Sequence, residues 1–321
     1  MNRRAAAGLL LLVAGAALLV WQLRDKSAAD ILDGFRSVGA WFGVILLLSL
    51  LRFVARTRAW TSLIDSPVPA GRALAATLGG DAIGNVTPLG LLASEPAKAL
   101  YLGRYVAPAR ALAALMAETF FYTISVAIYI VLGTASMLEF FALDDAVRMA
   151  AWIALASMGT ALAAAAWLAW RQPNILSAML AYVPVAKLRT IIDRIRDFEL
   201  QAYGSARGRG GPLAVVVACE VTFHVLSYLE AWLTLWLLTG QSLPLAALVL
   251  DTFQRVSNIV FKMIPFRLGV DQVGSEMVAI AIGLPHGIGL QMSLVRTARV
   301  IIWAIVGLAT GAATAATARR P

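Results

Sequence analysis

The sequence predicts an all-α polytopic membrane protein, and three observations support this fold class. Of the 321 residues, 60% are apolar and only 14% are charged, whereas about a quarter of the residues in a soluble domain carry a charge. The mean hydropathy is +0.78. Apolar stretches of about the 20 residues that a spanning helix needs occur at 5–23, 39–60, 111–133, 149–170, 212–238 and 287–315. These features exclude a soluble fold.

The first apolar stretch follows the segment Met-Asn-Arg-Arg at residues 1–4, which is the order of charge and hydrophobicity that a signal peptide has. Its length matches a spanning helix rather than the roughly 7–15 residues of a signal-peptide core. We therefore interpret it as a retained first helix, with cleavage as the alternative.

Two further apolar regions, 73–103 and 245–284, are interrupted by residues that end helices. The first contains Gly-Asn-Val-Thr-Pro-Leu-Gly at 84–90, and the second contains Ile-Pro-Phe-Arg-Leu-Gly at 264–269. Each region is predicted to be a pair of half-helices. Lipid offers no hydrogen-bond partner to a non-helical backbone, so we expect two re-entrant hairpins beside the six spanning helices.

The basic residues favour an orientation with both termini in the cytoplasm. If the region 73–103 enters and leaves on the cytoplasmic side, the basic residues around it also lie inside, namely Arg56, Arg58, Arg72, Arg104 and Arg110. Two full spans in place of the hairpins would leave Arg104 and Arg110 outside. Because cytoplasmic loops account for the net charge of +9, we expect no nucleic-acid binding.

The two broken regions are related by an internal repeat. A shift of 181 residues places Ser94-Glu95 on Ser275-Glu276 and Glu118 on Arg299. The copies begin on opposite membrane sides, which is the inverted-repeat architecture of many secondary transporters. We predict one membrane domain, 1–321. It begins with a first helix and outer loop (1–38) and a first repeat (39–133) that contains the hairpin 73–103. A linking helix and a cytoplasmic amphipathic segment follow (134–211, amphipathic over 188–203), and then a second repeat (212–315) that contains the hairpin 245–284.

Ionisable residues in these regions need a physical reason, because a charge at the bilayer centre costs roughly 2.5–3.5 kcal/mol on insertion scales. Ser94 and Ser275 are predicted to cap the second half-helices, with Glu95 and Glu276 in the first turn. The N-termini of these half-helices could then receive a phosphate or another anionic headgroup. The alternative is that the glutamates only complement the helix dipole.

Other buried charges suggest an ion pair and residues near the interface. Glu118 and Arg299, which are equivalent in the repeat, are expected to form an ion pair that opens and closes with substrate. Arg52, Arg148 and Glu230 lie toward span ends, where long side chains reach the interface, and we interpret them as members of structural ion pairs or as residues near the interface.

Glu220 and His224 lie four residues apart on one predicted helix. They could relay protons, or they could form a hydrogen bond in the core. The two histidines, His224 and His286, are distant in the sequence and Cys219 is the only cysteine, so we expect no metal site, disulfide or cofactor.

Short motifs carry a family resemblance. They are Asn-Val-Thr-Pro-Leu-Gly at 85–90 with Ser94-Glu95, Pro265 with Leu-Gly-Val-Asp-Gln at 268–272, Gly-Leu-Pro at 283–285, and Leu-Val-Arg at 294–296 with Arg299. With these motifs, residues 40–312 resemble the lysylphosphatidylglycerol synthase transmembrane-region family, whose flippase-like members include hopanoid-associated proteins and the membrane half of the multiple peptide resistance factor. Members often carry Gly-Val-x-Glu after the second proline, where this chain has Gly-Val-Asp-Gln.

The resemblance implies a bacterial inner-membrane protein that transports or flips a lipid, with the hairpins and their acidic residues on the substrate path. The candidate substrate-binding residues are Asn85, Thr87, Pro88, Glu95, Lys98, Glu118, Pro265, Asp271, Gln272, Glu276, Arg296 and Arg299. The expected partner is a phospholipid, a hopanoid or a polyprenyl lipid. A homo-oligomer and partner proteins of lipid synthesis are further alternatives.

We expect a transporter without catalytic residues rather than an enzyme. Aminoacyl transfer to a lipid needs a large soluble domain, whereas this chain ends six residues after its last apolar stretch. One alternative is a membrane-bound enzyme of polyprenyl-lipid metabolism, although the only adjacent acidic pair, Asp144-Asp145, is predicted outside. Another is a noncatalytic scaffold of a lipid-synthesis complex, which would not need buried charges in broken helices.

Overall fold

The computed structural model describes residues 35–64, 66–87, 90–171 and 210–318. Within these ranges the chain is helical with short connections and contains no strand. The helices are α1 (Phe42–Thr61), α2 (Ala70–Val86), α3 (Gly90–Tyr101), α4 (Pro108–Phe140), α5 (Asp145–Arg171), α6 (Gly210–Thr239), α7 (Pro244–Val260), α8 (Val270–Ala281) and α9 (Ile288–Ala318). The predicted first helix (5–23), the amphipathic segment (188–203) and Pro88 lie outside the described residues.

Among the described residues, five helical segments are long and apolar enough to cross a membrane, and they match five of the six predicted spans. They are Phe35–Thr61, Arg110–Phe140, Asp145–Ala164, Gly211–Thr239 and Ile288–Gly311. Large apolar side chains on them face outward, such as Leu132 at 59% exposure and Ile153 at 62%. Such an apolar exterior is typical of helices that face lipid. The predicted fold class, an all-α polytopic membrane protein, is confirmed.

Prolines mark where several helices begin. Pro69 is the residue before α2, and Pro108 and Pro244 lie in the first turns of α4 and α7. A proline at the start of a helix is favourable because its fixed φ suits the helix and its missing N–H would have no partner there. The prolines in the sequence thus mark where α2, α4 and α7 begin.

Both predicted helix breaks are present, and α2 packs on α3 as α7 packs on α8. The first break follows Thr87, whose backbone is extended, with φ −98° and ψ 140°. The second contains a short 3₁₀ turn (Pro265–Arg267) in which Phe266 and Arg267 have φ near 50°. Gly269 then adopts φ 82° directly before α8, a conformation that glycine tolerates without a steric penalty.

The predicted helix caps are wrong. Ser94 is the fifth residue of α3 and Ser275 is the sixth residue of α8, so neither serine precedes its helix. The residue before α8 is Gly269, and its N–H donates to Oε1 of Gln272 at 2.7 Å. The helices begin earlier than expected because the glycines after the prolines already allow the chain to turn into a helix.

The helices form two copies of one unit, α1–α4 and α6–α9, with α5 between them. The first hairpin helices α2 and α7 both have 17 residues, and the second hairpin helices α3 and α8 both have 12. Packing between the units is reciprocal, because α9 lies on α2 and α4 lies on α7. This exchange of equivalent helices is the pattern that a pseudo-two-fold axis produces.

The two units are inverted relative to each other. The equivalent helices α1 and α6 pack together, and Trp41 at the start of α1 meets Trp236 near the end of α6 with ring centroids 6.5 Å apart. Further along α1, Arg52 reaches Glu230 and Phe223, which lie progressively earlier in α6. The helices are therefore antiparallel, so the axis that relates them runs across the spans rather than along them.

Close helix contacts at glycines follow the same symmetry. Gly307 of α9 lies against the backbone of Leu78 in α2, and Gly133 of α4 lies against the side chain of Thr252 in α7. Leu78 and Thr252 are both the ninth residue of their helices. Small residues let membrane helices approach closely, where packing rather than hydrophobic burial drives association.

We expect Gly307→Ala to destabilise the protein by about 1–3 kcal/mol, because the added Cβ would overlap the backbone of Leu78. Gly159→Ala is the matched control, since nothing lies within 4 Å of a Cβ at that position of α5. Thermal unfolding of the full-length protein in detergent should show a lower Tm for the first variant only. Equal Tm values would contradict this close contact.

Candidate functional site

Ionisable side chains, most of them buried, gather in two adjoining groups, which are defined by their ion pairs and electrostatic interactions. The first charge cluster consists of Arg56, Glu95, Lys98, Glu118, Glu220 and Lys262. The second charge cluster consists of Arg52, Glu230, Asp251, Arg255, Arg267, Asp271, Arg296 and Arg299. Charges inside a membrane are costly, so such groupings mark functional sites.

In the first charge cluster, Arg56 of α1 forms a two-point ion pair with Glu118 of α4. Its Nε and Nη2 donate to the two carboxylate oxygens at 2.8 and 3.0 Å. The guanidinium also lies over the Tyr122 ring, 4.3 Å from the centroid. Glu118 is only 1% exposed. This geometry is among the stronger forms of arginine–carboxylate contact.

The predicted ion pair between Glu118 and Arg299 is wrong. Nη1 of Arg299 donates to both carboxylate oxygens of Glu230 in α6, whereas Glu118 is bound by Arg56. The repeat made the two residues equivalent, and equivalence under a two-fold axis does not imply contact. Each residue instead pairs with the helix that precedes its own hairpin.

The two ion pairs are themselves equivalent, with the charges exchanged. Arg56 and Glu230 precede the first residues of α2 and α7 by the same number of residues. In the first unit the arginine lies before the hairpin and the glutamate after it. In the second unit Glu230 lies before the hairpin and Arg299 after it.

Of the two alternatives for Arg52 and Glu230, a structural ion pair or a place near the interface, the ion pair is confirmed. Arg52 donates to Glu230 at 2.9 Å from the facing helix α1, and Glu230 is 5% exposed. Glu230 therefore holds two guanidiniums, those of Arg52 and Arg299, between three helices. Arg148, in the first turn of α5, is exposed as predicted.

The first hairpin contributes a buried pair in its second half-helix. Lys98 donates to Oε1 of Glu95 at 2.8 Å, and both side chains are buried. The other oxygen of Glu95, Oε2, has no hydrogen-bond partner among the described residues. Asn85 and Thr87 bond back into the end of α2, to Asp81 and Ile83 respectively.

The second hairpin is tied together through Asp271 in the first turn of α8. Its carboxylate accepts hydrogen bonds from Gln254 at 2.9 Å, from Ser257 and from Arg267 at 3.1 Å. These contacts link α7, the 3₁₀ turn at Pro265–Arg267 and α8. Asp271 thus closes the break that the proline and glycine open.

Gln272 and Glu276 attach the same hairpin to α9. Gln272 is fully buried and donates to Oγ1 of Thr297 at 2.9 Å. The two oxygens of Glu276 accept from the backbone N–H groups of Gly287 and Leu290 at 2.5 and 3.0 Å. Glu276 therefore satisfies orphan donors at the N-terminus of α9, which is a positioning contact.

Arg296 and Arg255 meet at Asp251 of α7, which also accepts from Ser227 at 3.1 Å. Arg255 donates to Asp251 at 3.2 Å, and Arg296 lies 3.8 Å from it. Arg296 also donates to Oε1 of Gln254. Because Gln254 donates to Asp271 and accepts from Arg296, Asp271 and Arg296 belong to one connected group with Asp251.

A short hydrogen-bonded chain joins Glu220 and His224 through α4. Ser125 donates to Oε2 of Glu220 at 3.2 Å, and Nε2 of His224 lies 2.9 Å from the same hydroxyl. The His224 ring stacks on Tyr129 with centroids 5.0 Å apart. The chain connects the two residues that the sequence singled out, and the proton relay stays a prediction.

The sequence analysis did not single out Arg56, Asp251 or Arg255 as site residues. Arg56 was counted among the arginines of the cytoplasmic loops, whereas the structure places it 18% exposed in the ion pair with Glu118. A usable signal was present, because Arg52 and Arg56 lie one helical turn apart and therefore share a face of α1.

The fold and these clusters define a polytopic helical membrane protein with an inverted repeat and charged residues buried between its two units. The chain belongs to the family described as lysylphosphatidylglycerol synthase TM region, whose sequence model matches residues 6–309. The resemblance read from the motifs is confirmed, and it links this membrane domain to lipids. No curated protein matched in a sequence search, and no solved structure matched in a structural search.

We expect Glu230→Gln to lower stability more than Glu118→Gln does. The first change leaves two buried guanidiniums, Arg52 and Arg299, without their carboxylate, and the second leaves only Arg56. Removing one partner of a buried pair costs roughly 3–5 kcal/mol. Tm values of the purified variants in detergent, with Glu139→Gln at the exposed end of α4 as control, would reveal the order. A larger loss for Glu118→Gln would refute it.

Proposed function

We propose that the chain is a lipid transporter or flippase of the bacterial inner membrane. The single observation that carries this proposal is the pair of buried charge clusters between two inverted units, each with a broken hairpin. Inverted repeats with discontinuous helices at the substrate site are typical of secondary transporters. Family membership supports a lipid as the substrate, and we propose a phospholipid, a hopanoid or a polyprenyl lipid.

The ion pairs suggest how the site opens to one side at a time. Arg56–Glu118 ties α1 to α4, and Arg299–Glu230 ties α9 to α6. Each pair therefore holds together the two helices that flank one hairpin. In the proposed cycle, one pair loosens while the other holds, and the headgroup passes between the hairpins near Glu95 and Lys98.

We expect Glu95→Gln to slow lipid movement at least tenfold. The change removes the negative charge that pairs with Lys98, and it alters the buried carboxylate whose Oε2 has no hydrogen-bond partner among the described residues. The assay is dithionite bleaching of fluorescent phospholipids in proteoliposomes, with Glu139→Gln as the matched control. Tm values of both variants distinguish a transport defect from misfolding.

Unchanged movement in a folded Glu95→Gln variant would remove Glu95 from the path. If the wild-type protein moved no lipid of any headgroup class, the transporter proposal would fail and the scaffold alternative would gain support. Release of a chemically altered lipid would instead favour the alternative of an enzyme of polyprenyl-lipid metabolism.

The proposal includes an orientation with both termini in the cytoplasm and two re-entrant hairpins. In a Cys219→Ser background, single cysteines at Gly71 and Tyr105 should react with a membrane-impermeant thiol reagent only from the cytoplasmic side. Cysteines at Gln241 and His286 should react from the outer side. All four positions are exposed in the structure. Labelling of Gly71→Cys and Tyr105→Cys from opposite sides would make the first broken region a full crossing.

A further inference from the structure

The second charge cluster carries more positive than negative charge. Its eight members are five arginines and the three carboxylates of Glu230, Asp251 and Asp271, which leaves an excess of two positive charges among the described residues. The first charge cluster has three basic and three acidic members when all are ionised. The excess therefore belongs to the second cluster alone.

Sharing of carboxylates produces the excess. Glu230 serves both Arg52 and Arg299, and Asp251 serves both Arg255 and Arg296. Two guanidiniums on one carboxylate repel each other, and in a low-dielectric interior this repulsion is poorly screened. A further anion beside such a pair of guanidiniums would reduce this repulsion.

Three of the five arginines are clearly more exposed than the carboxylates of the cluster, whereas the side chain of Arg255 is only 4% exposed. The side chains of Arg52, Arg267 and Arg296 are 17%, 13% and 11% exposed, whereas the three carboxylates are 5–7% exposed. A ligand can therefore reach the guanidiniums of these three arginines more readily than the carboxylates.

Unused donors point to a ligand independently of the charge count. The Nε atoms of Arg52 and Arg255 are buried without a hydrogen-bond partner among the described residues, and Arg255 is only 3% exposed as a whole. A buried donor without an acceptor is uncommon and needs an explanation. Guanidinium groups bind phosphate oxygens with good geometry, often at two points.

We propose that the second charge cluster binds an anionic phosphate group, with Arg52, Arg255 and Arg296 as its principal donors. The phosphate site defines the substrate class of the proposed transporter. It rests on the transport proposal in one respect only, namely that a lipid carries the phosphate. A lipid phosphate headgroup and free inorganic phosphate share this chemistry, and the experiment distinguishes the two sources.

The test is native mass spectrometry of the full-length protein in detergent with dioleoylphosphatidic acid, its phosphate-free analogue dioleoylglycerol, and inorganic phosphate as separate probes. The wild type should bind the phosphatidic acid at least tenfold more tightly than dioleoylglycerol. Arg296→Gln should abolish most of this preference, whereas Arg148→Gln, which removes one exposed arginine outside both clusters, should retain it.

Stability provides a second readout that a purely structural arginine would not give. Because Arg296 belongs to an excess of positive charge, Arg296→Gln should keep or raise the Tm while losing the bound lipid. Asp251→Asn should lower the Tm, because it removes the carboxylate that Arg255 and Arg296 share.

Equal binding of phosphatidic acid and dioleoylglycerol, or equal losses in Arg296→Gln and Arg148→Gln, would overturn the phosphate site. Inorganic phosphate that binds as tightly as the lipid, with the same loss in Arg296→Gln, would support the site and assign it to a soluble anion. Selective lipid binding without lipid movement in proteoliposomes would uphold the site while the transport proposal fails.

Discussion

Glu230 holds the guanidiniums of Arg52 and Arg299 at the point where α1, α6 and α9 meet. In a membrane interior a charge without a partner is expensive, and each arginine must therefore stay beside this carboxylate. The helix α1 is the equivalent of α6 in the repeat, and α9 follows the second hairpin. A single buried side chain thus links α1 of the first unit to α6 and α9 of the second.

The inverted repeat explains why comparable contacts recur, but not why their charges differ. Gly133 and Gly307 bring the last helix of each unit onto the first hairpin helix of the other, and this packing is nearly the same in both halves. The ion pairs occupy matching places with opposite polarity. Symmetry thus governs the backbone, whereas the electrostatics separate a first charge cluster without excess charge from a second charge cluster that is positive.

Much of the architecture was predictable from the sequence because it depends on local features. Apolar stretches of spanning length predicted the five described spanning helices, and the prolines with adjacent glycines predicted both helix breaks. The partners of the charges were not predictable, since they depend on which helices face each other. Glu118 and Arg299 aligned in the repeat, yet each bonds to a residue on a helix that no local pattern connects to it.

The starts of the second half-helices illustrate the same limit. Ser94 and Ser275 are good capping residues by type, but Gly269 precedes α8 and the side chain of Gln272 accepts its N–H. Glu276, expected near a headgroup, instead accepts the backbone donors of Gly287 and Leu290. The sequence around Glu276 suggested a contact with the ligand, whereas in the structure its carboxylate accepts hydrogen bonds from backbone N–H groups at the start of α9.

The shared carboxylates also suggest how ligand binding could change the conformation. A ligand shifts an equilibrium only by its different affinity for the two states. An anion that binds Arg52 would compete with Glu230 for the same guanidinium, and it would weaken the contact between α1 and α6. The Arg56–Glu118 pair, in a cluster without excess charge, would feel no such competition. An anionic headgroup would therefore loosen the Arg52–Glu230 contact between the units and leave the Arg56–Glu118 pair in place, so the two charge clusters would respond differently to the same ligand.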